Sequence, residues 1–159
     1  MEIRDAVAGD ANEACAVLRR SIVELCAADH ENDLEILARW LDNKTPDNVA
    51  AWIARPDASM LVTVEGGTMV AVGMVTDGGD ILLNYVSPDA RFRGVSRTLL
   101  AALETRAAGR GAGECRLEST ETAHRFYCAN GYVEAGPPTG KFGMSSGYRM
   151  TKSLPSLRV

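Results

Sequence analysis

The segment "PDARFRGVSRTLLAAL" places two arginines, Arg91 and Arg93, beside a glycine and a serine just before a strongly helical run, and the strand-like "DILLNYV" precedes it. Unpaired N–H groups at a helix start attract anions, and the helix dipole adds positive potential there. A glycine lets a phosphate approach the backbone, while Arg91, Arg93 and Arg97 would add charge-assisted hydrogen bonds. We therefore expect a phosphorylated ligand here, with a solvated loop bearing surface arginines as the alternative. The predicted cradle consists of the N–H groups near Arg93, Gly94, Val95 and Ser96.

Other anion and metal motifs do not fit the sequence. It contains no GxxxxGK[ST] loop, and no GxGxxG follows the first predicted strand, so neither a Walker loop nor a Rossmann site is expected. The four cysteines form no CxxC pair, which argues against bound zinc. They are interpreted as reduced thiols, and Cys128 is not expected to form an acyl-enzyme.

The spacing of apolar residues predicts the helices and strands that must position these residues. "MEIRDAV" alternates like a strand, Asp10 and Glu13 resemble a capping box, and helices are predicted around Leu18, around Leu37 and after Thr45. Glycine turns then divide 60–86 into three antiparallel strands. The rest of the chain is predicted to contain a helix to about residue 109, the strand "ECRLEST", the short helix "TAHRFYCAN" and two closing strands with the loop "PPTGKFGMSSG". This order of elements predicts a mixed α/β or α+β protein with one central sheet.

Length and charge limit the functional classes. The 159 residues suit one domain, 1–159, and the net charge of −4 argues against a general nucleic-acid binder. Since no apolar run approaches the ~20 residues of a membrane span, no membrane partner is expected. The N-terminus lacks the apolar core of a secretory signal, so we expect a cytoplasmic protein.

Two segments together resemble the GNAT superfamily of acyl-CoA-dependent N-acyltransferases. "VSPDARFRGVSRTLL" is similar to the family's pyrophosphate loop, [RQ]-x-x-G-x-[GA], at Arg91 and Gly94, with Ser96 where Gly or Ala is usual. "AHRFYCANGY" is similar to a second signature, A-x-x-F-Y-x-x-x-G-[FY], beginning at Ala123. The resemblance covers nearly the whole chain and implies a mixed, mostly antiparallel central sheet of about seven strands flanked by helices.

The resemblance also implies how the co-substrate acetyl-CoA would bind. Backbone N–H groups of Tyr85 and Val86 would hold the pantetheine arm and the thioester carbonyl. Thr120 stands where many relatives have an asparagine that contacts the same arm, and a hydroxyl can still donate there. The residues that would wrap the pyrophosphate are Arg91, Phe92, Arg93, Gly94, Val95, Ser96 and Arg97.

The resemblance assigns Tyr127 the role of general acid, because acyl transfer from a thioester to an amine expels a thiolate that a phenol can protonate. A core tyrosine is the alternative, since Ala123, Phe126 and Asn130 lie on the same predicted helical face. His124 is interpreted as a surface residue. No metal is expected at this site.

The general base does not follow from the motifs. Many relatives use a glutamate on the strand before the loop, whereas this strand carries Asn84 and no carboxylate. The turn "ELCAADHEND", whose counterpart lines the acceptor pocket in relatives, offers other candidates or only solvated charges. These candidate acceptor-binding residues are Glu24, Asp29, His30 and, as a further base candidate, Glu31.

The leading interpretation is an N-acetyltransferase in which a primary amine attacks the thioester of acetyl-CoA directly, with a small-molecule acceptor favoured. One alternative is a non-catalytic acyl-CoA-binding or regulatory domain, because a fold can persist without its chemistry. Another is a protein lysine or N-terminal acetyltransferase with a peptide acceptor. A homodimer is also predicted, formed through the last strands of the chain, of which "GYRMTKSL" offers an apolar–polar edge.

Overall fold

The computed structural model describes residues 1–138 and 147–155. The strands are β1 (Glu2–Asp5), β2 (Ala58–Glu65), β3 (Thr68–Thr76), β4 (Ile81–Val86), β5 (Glu114–Ser119), β6 (Val133–Glu134) and β7 (Tyr148–Ser153). The helices are α1 (Ala11–Leu25), α2 (Ala27–His30), α3 (Leu34–Leu41), α4 (Pro46–Ile53), α5 (Val95–Gly109) and α6 (Glu121–Ala129), with short 3₁₀ turns at Ala8–Asp10 and Pro88–Ala90. This order matches the predicted one except for α2, a helix of 4 residues in the segment that the sequence analysis treated as a turn. Most of the predicted loop 137–147 lies outside the described residues.

The strands form two antiparallel hydrogen-bonded sheets. The first has the order β1-β2-β3-β4 and the second the order β5-β7-β6. With helices packed on both sides, this arrangement confirms the predicted mixed α/β class and the number of strands for the described part of the chain. The predicted single central sheet is instead divided into two ladders, because only an isolated bridge joins β4 and β5 among the described residues.

The two sheets meet where β4 and β5 begin. Asp80 and Arg116 form an isolated parallel bridge, and the Arg116 N–H donates to the Gly79 carbonyl at 2.8 Å. Gly79 has a φ of 99°, and a Cβ there would lie 2.1 Å from the Glu114 carbonyl oxygen, so only glycine fits this junction. Because the described residues form no further ladder between β4 and β5, the two strands separate beyond the junction.

The core has two main parts, one on each face of β3. Val72 and Met74 pack with α1 and α4, whereas Ala71 and Val75 pack with α5. Residues 69–75 are all buried because both faces are covered, which explains why the segment "MVAVGMV" is continuously apolar rather than alternating. In the parts of the chain that the structure describes, the helices are too short or too polar to cross a membrane.

The predicted capping box at Asp10 and Glu13 is wrong. Asp10 has helical dihedral angles, and its carboxylate instead accepts the Val7 N–H at 2.8 Å and binds both terminal nitrogens of Arg4. It therefore stabilises the 3₁₀ turn that precedes α1. The Glu13 carboxylate accepts the N–H of Met69 at 3.3 Å, which connects α1 to β3.

The final strand does not offer the edge on which the predicted homodimer depended. β7 pairs with β5 along its full length and with β6 at Val133 and Glu134, so it lies inside its sheet. The outer strands of this sheet are β5 and β6, and β6 is one of the last strands of the chain. The homodimer itself stays a prediction.

Candidate active site

A cavity of about 530 Å³ opens where β4 separates from β5. It continues from the start of α5 to the inner face of α6, so it joins the two segments that carry the sequence motifs. Most of the predicted cofactor residues and the predicted acid line this cavity. They are Tyr85, Val86, Arg91, Phe92, Gly94, Val95, Ser96, Arg97, Thr120 and Tyr127.

The backbone of β4 presents hydrogen-bonding groups to the gap, although not quite as predicted. The ladder with β3 continues to Ser87, whose N–H donates to the Val70 carbonyl at 2.7 Å. Successive residues of an antiparallel strand direct their N–H groups to opposite sides. By this alternation Tyr85 directs its N–H toward β3, whereas Asn84 and Val86 direct theirs toward the gap.

The first backbone N–H groups of α5 are hydrogen-bond donors that remain available to a ligand. Gly94 precedes the helix with a φ of 76°, and no described atom lies within 4 Å of the position that its Cβ would occupy. No described side chain caps this end of the helix, so the first N–H groups of α5 face the cavity mouth without a protein acceptor. This end combines the partial positive charge of the helix dipole with room for a phosphate.

The three arginines of the loop have different environments. The Arg91 guanidinium lies 4.4 Å from the centre of the Phe92 ring, which is 89% exposed at the cavity rim. Arg97 lines the cavity, whereas Arg93 turns away and forms an ion pair with Glu65 on β2. The structure therefore brings Arg91 and Arg97 to the cavity, and the Arg93 side chain lies elsewhere.

Tyr127 is both a core residue and a cavity residue. Its ring is buried and makes edge contacts with Phe126 and Tyr132 at centroid distances of 5.2 and 5.5 Å. Its hydroxyl oxygen accepts a hydrogen bond of 3.1 Å from the side-chain amide of Asn84 on β4. Burial raises the pKa of Tyr127 to about 12, although the Asn84 hydrogen bond acts in the opposite direction. The phenol is therefore protonated at neutral pH and available as a proton donor.

The start of α6 is fixed by Thr120 and Asp29. The Thr120 hydroxyl oxygen accepts the N–H of Ala123 at 3.1 Å, which leaves its hydrogen for another acceptor. The Asp29 carboxylate accepts the N–H groups of Glu121 and Thr122 at 2.5 and 3.2 Å and also the Thr122 hydroxyl. Asp29 thus connects α2 to α6 and stabilises the helix that carries Tyr127.

The other acceptor-binding candidates also have structural contacts. His30 is fully buried: its Nε2 faces the Ile22 carbonyl at 2.9 Å, and its Nδ1 accepts the N–H of Asn32. Glu24 forms an exposed ion pair with Arg20 at 3.1 Å. Among the described residues, Glu24, Asp29 and His30 line neither the cavity described above nor a second cavity beside it. Their part in acceptor binding stays a prediction.

A second cavity of about 330 Å³ lies beside the first. The aromatic side chains of Trp40, Trp52 and Tyr85 contribute to its wall, together with Met74. Leu82, Leu83, Tyr85, Glu118 and Thr120 line both cavities and so mark where they meet.

The sequence analysis missed Glu118, which is the carboxylate at this junction. The alternation of "ECRLEST" could have placed Glu114, Arg116 and Glu118 on one face of the strand. That pattern does not reveal which face borders a cavity, because the answer depends on where β4 lies.

Cys128 has a histidine neighbour that the sequence analysis missed, although His124 lies four residues earlier on the same predicted helix. Its Sγ lies 3.8 Å from the Nε2 of His124, and the same nitrogen lies 2.8 Å from the Glu134 carboxylate. Because the thiol and the carboxylate share one ring nitrogen, this cluster lacks the thiol–imidazole–carboxylate relay of a catalytic triad, in which the two partners occupy different nitrogens. Neither Cys128 nor His124 is among the described residues that line the cavities.

Comparisons with known proteins agree with this architecture. A family model of the acetyltransferase (GNAT) domain matches residues 26–154. A GCN5-related N-acetyltransferase from Rhodopseudomonas palustris is 28% identical, with a TM-score of 0.84 over 96% of this chain and 95% of the other. No curated protein matches the sequence significantly.

Two more distant structures show the same fold. The PaiA N-acetyltransferase from Thermoplasma acidophilum, solved with coenzyme A, is 21% identical, with a TM-score of 0.81 over 96% of this chain and 98% of the other. The ribosomal-protein-S18-alanine N-acetyltransferase from Escherichia coli is 18% identical, with a TM-score of 0.72 over 99% of this chain and 96% of the other.

Proposed function

The chain belongs to the GNAT family of acetyltransferases, which use acetyl-CoA, and from that membership we propose that it acetylates the nitrogen of a small primary amine. The observation that carries this proposal is the meeting of two cavities at the gap between β4 and β5. One cavity contains an open helix start and the Tyr127 phenol, and the other has an aromatic wall.

The residues of the first cavity fit acetyl-CoA. The start of α5 has unpaired N–H groups and, beside Gly94, open space where a side chain would otherwise lie, so it would hold the pyrophosphate with Arg91 and Arg97. The N–H of Val86 faces the gap and would hold the arm or the thioester carbonyl, and the Thr120 hydroxyl can donate nearby.

The acetyl transfer then requires two proton transfers, one to the leaving sulfur and one from the attacking amine. Bound acetyl-CoA supplies an acetyl thioester, whose carbonyl carbon accepts the amine while its sulfur leaves. Tyr127 would donate its hydroxyl proton to that sulfur, since a phenol is protonated at neutral pH and its hydrogen bond from Asn84 favours the ionised form that results. Glu118 would accept the proton of the attacking amine, because this acidic residue lines both cavities. Solvent restores both groups after the products leave.

The second cavity supports a small acceptor with an apolar or aromatic body. Its volume of about 330 Å³ lies at the lower end of the ~300–1,000 Å³ of small-molecule sites. Trp40, Trp52 and Tyr85 offer apolar contact area, and the Glu118 carboxylate would attract a protonated amine. Asn43, Lys44 and Arg55 also line this cavity, so the acceptor would carry polar groups beside its apolar body.

An amine screen tests the proposal. Purified protein with acetyl-CoA is offered aliphatic primary amines, aromatic primary amines, and peptides with a free N-terminus or lysine, while release of free thiol is measured. We expect amine-dependent turnover with small aromatic or apolar amines. Turnover with peptides alone would assign a protein acceptor instead, and thiol release that no amine accelerates would support a non-catalytic acyl-CoA-binding domain.

A further inference from the structure

We propose that Asn84 is a positioning residue that orients the Tyr127 phenol for proton donation. This inference rests on the proposed role of Tyr127 as the acid. Asn84 lies on β4 opposite Gly73 of β3, and its side chain reaches across the gap to α6. The amide nitrogen lies 3.1 Å from the Tyr127 hydroxyl oxygen, and both side chains line the first cavity.

The direction of this hydrogen bond determines what the phenol can do. A phenol oxygen has one hydrogen to donate and lone pairs that accept. Because the Asn84 amide donates to a lone pair, the hydrogen of Tyr127 remains available for another acceptor. A carboxylate at position 84 would only accept, and would take that hydrogen for itself.

The same hydrogen bond favours the state that follows proton donation. After Tyr127 gives up its proton, the oxygen carries a negative charge in a buried place. A hydrogen bond to a charged oxygen is stronger than one to a neutral oxygen. The Asn84 amide therefore stabilises the product of the donation step more than its start, consistent with its lowering effect on the phenol pKa.

Packing does not explain an amide at this place. The carbonyl oxygen of Asn84 is buried and has no hydrogen-bond partner among the described residues. An amide with one end unsatisfied destabilises a fold relative to an apolar side chain of similar shape, such as leucine. The asparagine at position 84 therefore destabilises the folded protein relative to leucine, and its hydrogen bond to Tyr127 is the reason that we infer for its presence.

Two substitutions and a double-mutant cycle test the proposal. Asn84→Leu should lower kcat by about ten- to a hundredfold, the size expected for one hydrogen bond to a charged group. Its affinity for CoA, measured by calorimetry, should be unchanged, and its melting temperature should be equal or higher. A structural amide would give the opposite pattern, with a lower melting temperature and nearly normal kcat, and that result would overturn the proposal.

Asn84→Asp tests the direction of the hydrogen bond. If the amide donates, aspartate should be at least as damaging to kcat as leucine. If the carbonyl of Asn84 instead accepts from the phenol, aspartate would preserve activity, and the proposal would be wrong.

The double-mutant cycle distinguishes the positioning role of Asn84 from the acid role of Tyr127. In a Tyr127→Phe background, Asn84→Leu should have no further effect on kcat, because the oxygen that it positions is gone. Additive losses would refute the coupling of the two residues. A fully active Tyr127→Phe enzyme would contradict the acid role itself, whereas an impaired Tyr127→Phe enzyme with a normal Asn84→Leu enzyme would contradict only the positioning role.

Discussion

Asp80 and Arg116 close one end of the cleft between the two sheets. They form a parallel bridge, their side chains form an ion pair of 2.9 Å, and the Arg116 guanidinium also donates to the Gly78 carbonyl at 3.0 Å. Beyond this junction the strands diverge, so the junction determines the angle at which β4 and β5 face each other. The first cavity thus lies where the pairing of β4 with β5 stops after one bridge.

The junction predicts an effect of Arg116 at a distance from the cofactor. Arg116→Ala should lower the free energy of unfolding by about 1 kcal/mol, since the ion pair is partly exposed but a backbone carbonyl also loses its donor. It should also weaken CoA binding, measured by calorimetry, because the gap is less well defined. Arg106→Ala is the matched control, because Arg106 binds Asp5 in a similar partly exposed ion pair away from both active-site cavities. Equal CoA affinity in the two variants would contradict the prediction.

Removal of the Tyr127 hydroxyl should slow the chemistry and spare binding. Tyr127→Phe should decrease kcat by ~10²–10⁴-fold, the usual range for general acid catalysis, with CoA affinity little changed. The ring and its contacts remain, but the Asn84 amide loses its partner, so a loss of about 1 kcal/mol in stability is expected. Measured together, kcat, CoA affinity and melting temperature distinguish this outcome from a core tyrosine, which would leave turnover nearly normal.

The phosphate cradle can be tested at Gly94 with a backbone-matched control. Gly94→Ala and Gly111→Ala introduce the same side chain at φ values of 76° and 96°, and neither new Cβ would lie within 4 Å of a described atom. Both should lose a similar ~1–2 kcal/mol of stability from the left-handed conformation. Only Gly94→Ala should weaken CoA binding, by roughly tenfold or more, with little effect on pantetheine, which lacks the phosphates. Equal CoA affinity in the two variants would refute the cradle.

Glu118→Gln should impair deprotonation of the acceptor. We expect kcat/KM for the amine to fall by ~10²–10⁴-fold at neutral pH, as for other general bases, with CoA affinity unchanged. Raising the pH should recover part of the loss, since more of the amine is then deprotonated in solution. Glu114→Gln is the control, because Glu114 lies on the same strand and is not among the residues that line the two cavities. The same loss in both variants would show that the effect does not arise at the cavity junction.

Low pH should destabilise the 3₁₀ turn before α1, because the Asp10 carboxylate that stabilises it becomes protonated. The hydrogen bonds from Arg4, and from the Val7 N–H, hold the pKa of Asp10 below its usual value, although burial opposes them. A carboxyl group with a depressed folded-state pKa stabilises the protein above its unfolded pKa, and this contribution is lost as the pH falls through the folded one. Asp10→Asn should therefore lower the melting temperature at pH 7 and lower it less at pH 3. A constant difference would contradict this assignment.

Local sequence features determined the helix start at Gly94 and the position of Tyr127 on α6. The turn and helix start at Gly94 depend on a few neighbouring residues, and the predicted anion site is where the cavity opens. Tyr127 could be placed because helical periodicity and the second motif both concern short segments. The short capped helix α4 followed in the same way, since Thr45 accepts the N–H of Asn48 three residues on.

Only the tertiary structure decided which distant residues meet at the gap. Asn84 and Tyr127 are 43 residues apart, and neither strand nor helix periodicity indicates that the amide of one reaches the hydroxyl of the other. Glu118 became a candidate base, and β7 an inner strand, because of the order in which strands pair. Strand order depends on long-range packing, whereas turns, caps and helix starts depend on neighbours in the chain, and this difference separates what the sequence determined from what the fold added.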